Sequence, residues 1–128
     1  MAVVVAVAVG GSGGALARFG LDSLIERHVD SLFPWATFTI NISGCFLNGL
    51  LVAVVVDQLG APSWLSRGLI VGFLGAYTTF STMAVETVTL VKDGRALLGI
   101  AYLCFSIVAG LAAAYAGIIS GRKPTTRC

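Results

Sequence analysis

The charged side chains of this 128-residue chain leave four long stretches with none at all, residues 1–17, 32–56, 68–85 and 96–121. A helix needs roughly 20 mainly apolar residues to cross the hydrocarbon core of a bilayer. The second and fourth stretches meet that length directly. The first and third reach it once the Arg18 end and residues 86–91 are added, with the boundary charges snorkelling toward the headgroups. The pattern predicts an all-α membrane protein of four transmembrane helices. It is read as one domain over residues 1–121, followed by a polar and disordered tail over 122–128.

Few other function classes survive this pattern. With 11% charged residues, a formal charge of +2 and no basic stripe, nucleic acid is excluded as a partner, and the lipid bilayer takes its place. The three cysteines, at 45, 104 and 128, have no spacing suited to a disulfide frame or a metal site. One histidine and unpaired cysteines cannot assemble a catalytic cluster, so no enzyme is expected. The first nine residues lack the basic start of a signal peptide, and the segment is read as the first span.

Inside the third span lies a run that does not suit a helix, Gly72-Phe73-Leu74-Gly75-Ala76-Tyr77-Thr78-Thr79-Phe80-Ser81-Thr82-Met83. Irregular backbone at membrane depth persists only where it is buried in protein or lines a polar cavity. The third helix is therefore expected to be broken in mid-membrane, with free carbonyls and hydroxyls suited to a dehydrated alkali cation or to polar pore walls. A kink bonded to its own hydroxyls is the simpler reading.

Further polar groups occur on the other spans. Asn41, Gly44 and Asn48 share one face of the second helix, beside Ser43 and Cys45. Asparagines in lipid either bond across a helix interface or line a wet path, and the sequence leaves both open. Tyr102 and Ser106 share a face of the fourth span, which continues with Gly110 and Ala113. The glycine run 10–14 permits close helix packing, and Arg18 just beyond it must snorkel, pair or serve an anion. Pro34 and Trp35 mark the entry to the second span, and Ser63 is expected to cap the third, next to Trp64 at the interface.

With four spans, one side of the membrane carries Arg67, Arg122, Lys123 and Arg127, and the other Arg18, Arg27, Lys92 and Arg95. An equal split gives the positive-inside rule nothing to act on, so the charges choose no orientation and leave insertion in both open.

Four pieces in this order resemble the Fluc (CrcB) family of small fluoride channels: residues 10–15 with Arg18, the quartet Asn41-Ile42-Ser43-Gly44, residues 75–83, and Glu86. The resemblance implies a fluoride-specific channel that exports fluoride passively across a prokaryotic cell membrane. It implies two subunits in antiparallel orientation, either two copies or a copy with a paralogous subunit. It also implies a structural, non-transported sodium ion held by the backbone carbonyls of Gly75 and Thr78. The matching fluoride pathway comprises Asn41, Phe80, Met83, Ser106 and Tyr102, with Arg18 and Glu86 as a charge pair or as vestibule charges.

The chain departs from the family pattern in two places, the third span and the fourth. Met83 stands where a second phenylalanine is usual, and a thioether offers an anion no electropositive ring edge. Gly110 with Ala113 or Ala114 stands where further hydroxyls are usual. Both losses fit either a working homodimer that tolerates Met83 or a subunit whose partner supplies the missing groups. The competing expectations are a dual-topology multidrug or cation antiporter and a non-conducting structural subunit. An antiporter needs a deep carboxylate, and only Glu86 is available.

Overall fold

Four helices long and apolar enough to cross a membrane occur among the described residues, which are 1–122 in this computed structural model: Ala2–His28, Trp35–Gln58, Ser63–Lys92 and Ala96–Gly121. Every regular element among these residues is helical. The remainder of the expected tail, with Lys123, Arg127 and Cys128, lies outside the described residues.

Helix α1, Ala2–His28, runs unbroken through its glycines and into the amphipathic turns at 21–28. Arg27 and His28 in its last turn complement the negative end of the helix dipole, and the His28 ring bonds the Leu24 carbonyl at 2.8 Å. Helix α2, Trp35–Leu51, starts directly after Pro34, whose missing N–H costs nothing at that end. It continues as a π-helical segment, Val52–Gln58.

The third span is a composite. Helix α3, Ser63–Arg67, begins after Pro62, and no side chain caps it; the Pro62 carbonyl takes the N–H groups of Leu65 and Ser66 instead. The expected Ser63 cap is therefore absent, because Pro62 fills the capping position. A second π-helical segment follows, Gly68–Leu74, then the single turn α4, Gly75–Tyr77, and finally α5, Phe80–Lys92. A turn whose Gly94 has φ +78° leads to α6, Ala96–Gly121. That left-handed conformation requires glycine.

Small residues decide which helices touch. A side chain at Gly117 on α6 would run into the Phe46 carbonyl of α2, so these two backbones meet directly. A side chain at Gly14 on α1 would likewise collide with the Phe73 carbonyl, which seats α1 against the second π segment. Gln58 donates its side-chain amide to the Gly121 carbonyl and ties together the ends of the second and fourth spans. Two apolar clusters fill the interior. One holds Ile40, Leu74 and Tyr77; the other holds Met83, Leu90 and Tyr102 with Phe33 and Phe38 against them.

Candidate functional site

The helical path of the third span stops at Thr78 and Thr79, both extended, with ψ 155° at Thr78 and φ −146°, ψ 105° at Thr79. Local chemistry explains how this stretch survives. The Thr79 hydroxyl accepts the Thr82 N–H at 3.2 Å and so caps α5 in the manner favoured for threonine at a helix start. The Thr78 hydroxyl returns to the Leu74 carbonyl at 3.0 Å.

Helix α2 supplies the rest. The Asn41 side chain brackets the backbone of Thr79, its Oδ1 accepting the Thr79 N–H at 2.8 Å and its Nδ2 donating to the Thr79 carbonyl at 3.1 Å. An amide is the side chain that can satisfy a peptide N–H and C=O together. One turn on, Gly44 leaves room for the Thr78 methyl, which a Cβ there would overlap. Between them Ser43 bonds the Tyr77 hydroxyl at 2.9 Å. The polar face of the second span is thus built against the interruption of the third, residue by residue.

The break interrupts the helical bonding of the carbonyls from Gly75 to Thr78, and two of the diverted donors can be followed. The Thr79 N–H that an α-helix would give to Gly75 goes to Asn41, and the Thr82 N–H that would go to Thr78 goes to the Thr79 hydroxyl. Gly75 is exposed and Thr78 half-buried. Their oxygens are hard, neutral donors of the kind an alkali cation takes.

A cavity of ≈ 430 Å³ opens beside the interruption. Its wall includes Asn41, Gly75, Thr78, Phe80, Met83 and Ser106, so six of the nine residues singled out from the sequence converge there. No charged side chain lines it. Phe80 is 74% exposed, its ring at the cavity edge, whereas Met83 is 6% exposed and packs into the cluster with Leu90 and Tyr102. Along α6 the wall continues from Ser106 to Gly110 and Ala114, while Ala113 faces elsewhere.

Ser106 differs from its neighbours. Its hydroxyl is buried and, alone among the buried side-chain polar atoms of the described residues, has no hydrogen-bond partner. Leaving a buried hydroxyl unpaired costs about 1–3 kcal/mol, and such a group calls for an explanation. Ser106 belongs to the cavity wall, but its hydroxyl oxygen is itself closed off from the open space.

The other three residues lie off this wall. Tyr102, fully buried, donates its hydroxyl to Glu86 Oε2 at 2.7 Å, and Thr37 donates to Glu86 Oε1 at the same distance. Both oxygens of this carboxylate are therefore engaged by hydroxyls rather than by Arg18, and the expected Arg18–Glu86 pair is not formed. Arg18 is half-buried on α1. Thr37 was not foreseen, although it lies one turn before Asn41 on the same face of α2 and the spacing could have shown it.

Known proteins match the chain over most of its length. The family described as "CrcB-like protein, Camphor Resistance (CrcB)" matches residues 5–118. A protein of Azotobacter vinelandii named "Fluoride-specific ion channel FluC" is 44% identical over 117 residues, covering 91% of this chain and 94% of the relative. Proteins of the same name from Pseudomonas putida, 40% identical over 118 residues, and Solibacter usitatus, 38% over 117, cover 92% and 91% of the chain and 95% and 96% of themselves. With the match running through all four spans, this multi-pass membrane protein belongs to the CrcB family.

Proposed function

We propose that the chain forms a passive, fluoride-specific channel, as the name shared by its relatives says of them. The observation that carries this reading is the convergence of Asn41, Phe80 and Ser106 on one cavity wall that no charged side chain lines. Asn41 keeps one amide hydrogen beyond the one given to Thr79, and the Phe80 ring has an electropositive edge. Three neutral donors can replace part of an anion's water shell without the fixed positive charge that would trap it. A passing ion must bind well enough to enter and weakly enough to leave.

The working unit is proposed to be two subunits in opposite orientations. The equal distribution of Lys and Arg supports this, and so does the exposure of Phe80 and Gly75 on a single chain. The Gly75 and Thr78 carbonyls, released from helical bonding, fit the ligand set for a sodium ion, each subunit giving half. An ion held there would supply a fixed positive charge, with Asn41 and the Thr79 hydroxyl keeping the Thr79 and Thr82 N–H groups away from those carbonyls.

Fluoride efflux from liposomes containing the purified chain alone, compared with chloride efflux from the same vesicles, tests the reading. Fluoride flux without chloride flux is the expected result and establishes a self-sufficient channel in which Met83 is tolerated. Flux appearing only when a paralogous chain is added would assign Met83 and Gly110 to a subunit completed by its partner. Equal chloride flux would refute fluoride specificity.

A further inference from the structure

Asn48, on the polar face of α2, has no part in the clamp on Thr79. It follows Asn41 by seven residues, so it stands about 10 Å farther along the helix at nearly the same azimuth, and both residues line the cavity. None of the side-chain hydrogen bonds among the described residues involves it, whereas the Asn41 amide is used at both of its ends. Asn48 is exposed on the chain and lies near the middle of the second span, Trp35–Gln58, where an amide facing hydrocarbon is strongly disfavoured. The facing wall offers it no partner. Gly49 meets the Ala114 carbonyl and Gly110 stands beside the Cys45 sulfur, so α2 and α6 run in the same direction and residues 45–49 lie level with 110–114. There α6 gives the cavity Gly110, Leu111 and Ala114, and the third span adds Ile70 and Leu74, none with a side-chain N–H or O–H. Cys45 has only a weak S–H donor.

We propose that Asn48 is a second ion-contacting residue, whose amide N–H groups take over part of the anion's hydration where the facing wall has no donor. The proposal rests on reading the cavity as the anion path. An amide has two N–H donors and no charge, so it can meet an anion without trapping it. The step of about 10 Å between the two asparagines is far longer than one hydrogen bond, so a single ion cannot touch both at once. The ion is handed from Asn41 to Asn48 along one face of α2. That face then supplies what Gly110 and Ala114 omit on α6.

The test uses the full-length chain reconstituted in liposomes, with fluoride efflux recorded and subunit association read by cross-linking in the same vesicles. Asn48→Leu keeps the size of the side chain and removes its donors. It should cut efflux about ten-fold or more, the worth of one hydrogen bond to an ion, with association unchanged. Asn48→Gln keeps the amide and should retain more efflux than the leucine variant. Adding Ala114→Ser to Asn48→Leu places a hydroxyl on the facing wall at the same level and should recover part of the flux, which a residue serving only to bond two subunits would not allow. An Asn48→Leu variant with efflux near the parent's would overturn the proposal. So would loss of efflux together with loss of association, with no recovery from Ala114→Ser and none in Asn48→Gln, which would make the asparagine a contact between subunits. A parent chain that passes no fluoride would refute the channel reading and the proposal with it; parent flux with an indifferent Asn48 refutes the proposal alone.

Discussion

Replacing Asn41 with leucine keeps the shape of the side chain and deletes both of its bonds to Thr79. Thr79 is only 7% exposed, so water does not replace them. Two buried backbone groups left unpaired cost about 1–3 kcal/mol each, or roughly 2–6 kcal/mol together. At 1.4 kcal/mol per factor of ten, the lower bound alone reduces the population holding the interruption about thirty-fold. The chain has one way to recover: Thr79 turns helical and returns its N–H to the Gly75 carbonyl. That saves one bond, and it covers an oxygen proposed to hold sodium. Asn41→Leu should therefore lower both fluoride efflux and the unfolding free energy measured by SDS titration in mixed micelles. A residue that only touched the anion would lower efflux alone. A leucine variant with efflux near the parent's and stability within about 0.5 kcal/mol of it would refute the clamp.

The remaining expectations separate stability from conduction in the same two assays. Ser106→Ala removes an unpaired buried hydroxyl, so it should raise stability by about 1 kcal/mol while lowering fluoride efflux; a loss of stability would show that the hydroxyl has a partner. Phe80→Ala should cut efflux about ten-fold, the worth of one aromatic contact, and efflux near the parent's would remove the ring from the path. Gly44→Ala drives a methyl into Thr78 and should cost about 1–3 kcal/mol, with efflux falling alongside. Tyr102→Phe leaves Glu86 with Thr37 as its donor and should cost about 1.5–3 kcal/mol, the range for a hydrogen bond to a charged group; unchanged stability would mean that Glu86 finds another partner.

The four spans were legible because the exclusion of charge from hydrocarbon acts on each residue separately, and an uncharged window can be read without knowing its neighbours. The polar face of α2 was legible for the same reason of local spacing. What α2 does with that face was not. Asn41 and Thr79 are 38 residues apart, and only the packing of the second span on the third brings them together. Glu86 shows the same limit from the other side. A lone carboxylate and a lone arginine suggest a pair, but Tyr102 and Thr37 reach the carboxylate first. The π geometry of residues 52–58 and 68–74 has no signature in composition at all, since it is a matter of which carbonyl each N–H selects.

The second of those π segments sets the phase of everything beyond it. An α-helix turns about 100° per residue, so the accommodation of extra residues between Gly68 and Leu74 decides the compass direction in which Gly75 and Thr78 finally point. On one flank the segment is held against α1; on the other it hands the chain to the interruption at Thr78 and Thr79. Removing a single residue there would leave every side chain of the site in the sequence and rotate it away from α2. The segment works as a gear between two contacts, and its length is as much a part of the site as any donor on the cavity wall.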